Sequence, residues 1–455
     1  MSDTTKSETK QVERGLPMVA TRDLEDLKAE REYLRGVDAR RPFFRRWAGY
    51  WKLTGPGWMQ SAITLGAGTA GSTILAAAAY GYQLLWLSPV AMALGIAVFA
   101  AIGRQTLLTG RRPYEVFRTD LHLLLAVFWG LSVLVSSIVF QFPQYALGTD
   151  VLRDILAVAG IDAPKAVIVA VFLVASTAIC WSYGKGSRRA VRGFERILKY
   201  ILLFMVAAFA LVVVKTGIDG QALVKGLFGF SLPHSKQGIA LVLGQLGAAV
   251  GVNMTFLYPY SMLSRHWGRE HQGLKNFDLG VSMFLPFVLA TGFVSIACAN
   301  TLYAKGIQVR GAVDAAHALA PLVGLTLGRV VFSLGILSMC FKTMVLEMLI
   351  AGFVLSEMFG FALHGRAYKA ATMTANIGAW GAFAALPFWV PVVASSFNLV
   401  MLPVAYLAFF ILQNKRSYLG GDVVRGAKGA IWNVLLVLAI LAVTAGAAVK
   451  IASFF

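Results

Sequence analysis

Two stretches of this 455-residue chain set glycines and polar side chains inside otherwise apolar runs. TLGAGTAGST, residues 64–73, holds Gly66, Gly68 and Gly71 and the hydroxyls of Thr64, Thr69, Ser72 and Thr73. GQLGAAVGVNMT, residues 244–255, holds Gly244, Gly247 and Gly251, then Asn253, Met254 and Thr255. Glycine permits non-helical backbone and lets a ligand come close to main-chain carbonyls and amides. Hydroxyl, amide and carbonyl oxygens can replace part of the water around an ion or small polar solute. A third stretch, MCFKTMVLEML at 339–349, buries two ionisable groups, Lys342 and Glu347. A fourth, SSFNLVMLP at 395–403, carries Asn398, with Ser396 as its competitor for the same role. An ammonium or carboxylate at mid-membrane depth costs at least about 2.5 kcal/mol on insertion scales, so it faces a cavity or a partner. The six histidines fall in joints or at span ends, and the spans hold no paired carboxylates or nucleophile beside a base. Catalysis is therefore the least supported reading, and no cofactor is expected.

The elements that must hold these groups are membrane helices. The chain is 58% hydrophobic and 14% charged, with a mean hydropathy of +0.69; a soluble domain carries roughly a quarter charged residues. Eleven candidate spans, each near the roughly 20 residues that cross a bilayer, lie at about 50–79, 82–103, 121–148, 164–184, 193–214, 238–263, 277–303, 328–358, 370–388, 391–413 and 429–453. Basic joints such as GRRPYEVFR and YGKGSRRAVRGFER follow the even-numbered spans, and with the N-terminal 52 residues they hold most of the 41 Lys and Arg. By the positive-inside rule the chain is expected in the plasma (inner) membrane with its N-terminus cytoplasmic and its C-terminus outside. The net charge of +19 then reflects topology and anionic lipid headgroups, not nucleic acid. Oligomeric state is not encoded in any feature of the sequence. Cys180, Cys298 and Cys340 sit in apolar spans and read as small buried packers. Residues 1–48 form an N-terminal tail, without the apolar segment of a cleavable signal peptide. Residues 1–20 have the composition of a disordered segment; TRDLEDLKAEREYLRG has acid–base pairs at helical spacing for a surface helix. FFRRWAGYWK has the mixed aromatics and cations of an interfacial anchor. The outer segment RGAVDAAHALAPLVG suggests a short re-entrant or surface helix.

The remainder, 49–455, is expected to be one transmembrane domain: a repeat over about 50–216, a second over about 237–414 and an extra span over about 429–453. Five spans per repeat is an odd number, so the repeats would insert in opposite orientations. The glycine clusters then fall in the first helix of each. Interrupted helices at matching positions of inverted repeats are the best sequence pointer to a carrier's central site. The competing use of these glycines is close helix packing.

GPGWMQSAITLGAGTAGSTILAAAAYGYQLLW, with Gly55–Gly57 and Gly81–Trp86 at its ends, resembles the first span of the natural-resistance-associated macrophage protein (NRAMP) family of divalent-metal transporters. AGFVLSE, with Glu357 in register, resembles a motif of that family's eighth span. The resemblance implies an all-α, LeuT-like fold of inverted five-helix repeats with the first and sixth helices broken. It also implies substrate contacts at Gly66, Ala67, Gly68 and Thr69, which occupy the family's Asp-Pro-Gly-Asn positions. Val250, Asn253, Met254 and Thr255 correspond to its sixth-span site, the last three aligned on Met-Pro-His through the following LYPYS. Thr69 and Asn253 are the implied metal contacts. The carboxylate of the first-span motif and the histidine of the sixth are missing, and third-span FQFPQYALG lacks an acid. The implied function is a divalent-cation transporter working by alternating access, for Mg²⁺ or Mn²⁺ rather than softer metals and without tight proton coupling. Lys342, Glu347 and Asn398 are candidate coupling or modulatory residues. Lys342 either pairs with Glu347 or sits beside GAGTAG in place of a coupling cation. A LeuT-like carrier of an amino acid or small carboxylate and a non-transporting sensor or scaffold are the alternatives.

Overall fold

The computed structural model describes residues 24–40, 44–183, 188–309, 330–363, 365–384 and 389–452. The N-terminal 20 residues and the segment 310–324 lie outside them. Among the described residues the chain is helical throughout, without a strand. Nine helices among the described residues are long and apolar enough to cross a membrane, ten with one bent pair. Large apolar side chains point outward along them, among them Val174 at 71% exposure and Leu441 at 59%. Such stripes are tolerated where lipid tails are the solvent.

The first span is two helices, Pro56–Thr64 and Ala67–Tyr80, bent by 52°. It starts later than the expected residue 50, because Phe44–Leu53 is a separate helix that ends before the Gly55–Pro56–Gly57 corner. The second to fifth spans are Leu87–Thr109, Leu123–Val158, Lys165–Ser182 and Arg188–Thr216. The third runs ten residues past its expected end at 148, carrying its polar last turns beyond the apolar stretch. The sixth is again two helices, Lys236–Ala249 and Val252–Ser264. The seventh continues from Gln272 to Tyr303 through two π-helical turns; the eighth is Phe332–Phe359, the tenth Val390–Asn414 and the eleventh Gly426–Ala452.

The expected ninth span at 370–388 takes a different form. It is an α-helix over Arg366–Met373 followed by a 3₁₀ helix over Thr374–Ala382, and 385–388 lie outside the described residues. Gly378 and Gly381 bring this segment onto the third-span backbone at Gln141–Phe142. A Cβ on Gly378 would lie 2.7 Å from the Phe142 nitrogen, so close approach has replaced regular helix.

Part of the stretch read as a tail packs on the bundle. The helix Leu24–Asp38 buries Leu34 and Val37, with Val37 against Gly49. Arg31 pairs with Glu270 at 2.6 Å, and the Tyr50 hydroxyl donates to Asp38.

Candidate substrate site at the two helix breaks

The first break falls at Leu65 (φ −90°, ψ 59°) and Gly66 (φ −106°, ψ −167°). It lies at the leading edge of GAGTAG, and Ala67 to Thr69 already belong to the next helix. Gly66 is needed for space: a Cβ there would lie 2.7 Å from Thr343 Oγ1 and 3.0 Å from Gln144 Nε2. Gly68 is a packing glycine, facing Ser395 and Phe140. A helix interrupted in hydrocarbon exposes carbonyls and amides that cost several kcal/mol each if left bare. Here side chains take them. Lys342 Nζ donates to Leu65 O at 2.7 Å, Thr343 Oγ1 to Ala62 O at 2.9 Å, and Thr69 Oγ1 to Thr64 O. On the far side of the gap, Ala67 N donates to Gln144 Oε1 at 2.9 Å. An ammonium on the carbonyl end of a helix also meets the negative pole of its dipole.

The second break falls at Val250 (φ −144°, ψ 122°) and Gly251 (φ −106°, ψ 158°). Asn253 bridges outward: its Oδ1 accepts from Met254 N at 2.9 Å, and its Nδ2 donates to Glu347 Oε1 at 2.6 Å. Glu347 is fully buried, with Ser137 of the third span beside it. Asn398 approaches from the tenth span; a Cβ on Gly251 would lie 2.6 Å from its Nδ2, and its Oδ1 accepts from Ser136. Met254 Sδ accepts from Gly251 N and from Thr64 Oγ1, both at 3.3 Å. This last bond ties the two breaks together.

The sequence candidates therefore divide. Asn253, Met254, Glu347 and Asn398 converge on the sixth-span break, while Gly66, Ala67, Thr69 and Lys342 form the first. Thr255 is held by Trp129 Nε1 at 3.1 Å and donates to Val252 O. Val250 packs against Gly95. Ser396 donates to Val392 O within its own helix. Lys342 and Glu347 form no ion pair among the described residues, so the pairing left open by their spacing gives way to two separate partners. Sequence reasoning passed over Gln144, Thr343, Ser136 and Ser137; the signal of Gln144 was an amide set in a long apolar helix. Glu347 supplies the site's one carboxylate, and no group of three or more His, Cys, Asp or Glu gathers among the described residues.

The two ends of the bundle differ. At the end carrying the basic joints, Asp278 caps the first span, accepting from Gly55 N at 3.2 Å and Gly57 N at 2.6 Å. Arg265 Nη1 pairs with Glu195 at 2.7 Å, and Arg112 with Glu357 at 2.9 Å. At the opposite end a cavity of about 1300 Å³ opens between Ala78, Leu241, Tyr303, Val392 and Ser396.

Two broken helices, opening the two halves of a chain that is helical among its described residues and joined by the Thr64–Met254 contact, define a LeuT-like fold. The model of the natural resistance-associated macrophage protein-like family matches residues 57–450. The chain belongs to that family. It is 26% identical over 273 residues to a rice (Oryza sativa subsp. japonica) protein named metal transporter Nramp2, covering 59% of this chain and 50% of that protein. It is 25% identical over 315 residues to the divalent metal cation transporter MntH of Pectobacterium carotovorum, covering 66% and 72%. The chain thus spans about half the length of the rice relative. The Eremococcus coleocola manganese transporter, solved with an aromatic bis-isothiourea compound, superposes with a TM-score of 0.67 at 14% identity, over 90% of this chain and 88% of that one. MhsT in complex with L-phenylalanine gives 0.55 at 15% identity, over 86% and 98%. At such identities the two structures speak for the fold.

Proposed function

We propose that this protein carries a divalent cation, Mg²⁺ or Mn²⁺, across the plasma (inner) membrane by alternating access, without tight proton coupling and with its N-terminus in the cytoplasm. The observation that carries the proposal is the buried Glu347–Asn253 contact at the sixth-span break. It returns a carboxyl group to a site whose first-span carboxylate is missing. Asn398, Ser136 and Ser137 add neutral oxygens around it. One carboxylate among neutral oxygens suits a hard ion that keeps several of its waters. The Met254 thioether is engaged by Gly251 N and Thr64, which works against softer metals. The names of the rice, Pectobacterium and Eremococcus relatives support a metal cargo. A clamped basic end opposite a cavity among the described residues supports alternating access. In this reading residues 1–48 lie outside the transmembrane domain proper, and 50–216 and 237–414 act as the two inverted repeats.

A carrier of a small carboxylate is the second reading, favoured by the Lys342 ammonium at the first break. Proteoliposome uptake of Mg²⁺, Mn²⁺ and an amino-acid panel separates the two. Metal flux lost in Glu347→Gln and in Asn253→Ala supports the cation carrier. Amino-acid flux lost in Lys342→Met supports the second reading, and silence throughout would leave a sensor or scaffold.

A further inference from the structure

A second polar site lies at the basic end of the bundle, away from both breaks. A pocket of about 140 Å³ opens where the Phe44–Leu53 helix and the start of the first span meet the fifth span. Lys52, Arg192, Arg196, Lys199 and Arg265 line it against one carboxylate, Glu195, which Arg265 already engages at 2.7 Å. Lys199 is held in place by two indoles: its Nζ lies 3.9 Å from the ring centre of Trp51 and 5.0 Å from that of Trp58. Those rings meet edge to face at 5.6 Å, and Trp58 Nε1 is fixed on Thr54 at 3.0 Å. Cation–π contacts of this kind orient an ammonium without neutralising it. Among the described residues no carboxylate pairs with Lys199 or Arg196. Five cations and one carboxylate therefore line a preformed, aromatic-walled hollow.

An exposed apolar stripe runs from its mouth. Ile197, Tyr200 and Phe204 follow one another at helical spacing down the fifth span and are 45%, 63% and 49% exposed. Tyr200 also lines the pocket. An occupant with a phosphate head and an apolar tail would place the head among Lys52, Arg196 and Lys199 and lay the tail along that stripe. We propose that this pocket binds the phosphate headgroup of an anionic phospholipid from the leaflet on the basic side of the membrane. A free phosphate shares the head chemistry but has no use for the stripe. The assignment goes beyond the general attraction of basic joints to anionic lipid, because it names one site where the Phe44–Leu53 helix and the first span meet the fifth. It is independent of which cargo the breaks carry.

The test is native mass spectrometry of the purified full chain in mild detergent, with phosphatidylglycerol, phosphatidylcholine or inorganic phosphate added at equal concentration. The expected result is selective retention of phosphatidylglycerol, reduced about fivefold by each of Lys199→Gln and Arg196→Gln. Arg153→Gln, on a surface remote from the pocket, leaves it unchanged. Quenching of tryptophan fluorescence by a brominated phosphatidylglycerol, attenuated in Lys52→Gln, supplies a readout if a fifth-span variant fails to fold. Equal retention of phosphatidylcholine, or no loss in the Lys199 and Arg196 variants, would overturn the proposal. Inorganic phosphate retained as well as the lipid would overturn the lipid as occupant.

Discussion

The two helix breaks solve the same backbone problem with opposite charges. At the first, every carbonyl or amide contact described above is made by a side chain, and the charged member is the Lys342 ammonium. At the sixth, an amide and a carboxylate from different helices face each other, and the charged member is Glu347. Five residues separate Lys342 from Glu347 on one helix, about 7.5 Å along the axis and some 140° around it. They serve different breaks instead of neutralising each other. Two ionisable groups held apart at this depth are costly, and the proposed function gives them distinct work: Lys342 would close a gap and Glu347 would meet cargo.

The largest expected effect is on the anionic side. Glu347→Gln, which keeps shape and hydrogen-bonding capacity, should lower Mg²⁺ or Mn²⁺ uptake at least about tenfold, a loss of roughly 1.4 kcal/mol, measured as initial rate in proteoliposomes. Lys342→Met should act chiefly on stability. It leaves Leu65 O without its donor, at a cost of about 1–3 kcal/mol, read as a lower Tm in detergent. A fall in uptake as deep as that of Glu347→Gln would erase the distinction between the breaks. Thr69→Val removes one neutral bond to Thr64 O and should cost about 1 kcal/mol on the same assay. Smallest of all is the coupling between the two charged sites: a stability cycle of Lys342→Met with Glu347→Gln should be additive within about 0.5 kcal/mol. Clear non-additivity would mean that they act as a pair.

The breaks were legible because glycine clusters inside apolar runs have few uses. Their positions were less so, since the same glycine can open a helix or let a neighbour approach. Gly66 gives way to Thr343 and Gln144, whereas Gly68 lets the Ser395 face come near; only the packing separates these roles. The Asn253–Glu347 contact joins residues 94 apart in sequence, and no local pattern could report it. Gln144 is nearly silent in the sequence because a lone amide in an apolar helix has no spacing that marks it, although an amide can cap a broken helix as well as a carboxylate can. The short ninth element departs from a full span because Gly378 and Gly381 fit a particular backbone surface, a constraint composition does not carry. The docking of Leu24–Asp38 depends on Leu34 and Val37, two apolar residues in a helix that otherwise reads as solvated.

Lys342 is covalently attached to the protein whose gap it fills. A diffusible ion in that seat would come and go with its concentration on either side, and its downhill flow could be harnessed. A resident ammonium has a local abundance set by the length of its own stem, indifferent to sodium or salt in the medium. Under the proposed function, a seat filled throughout the cycle would leave no second gradient to drive the carrier there, and its cargo would move on its own electrochemical slope.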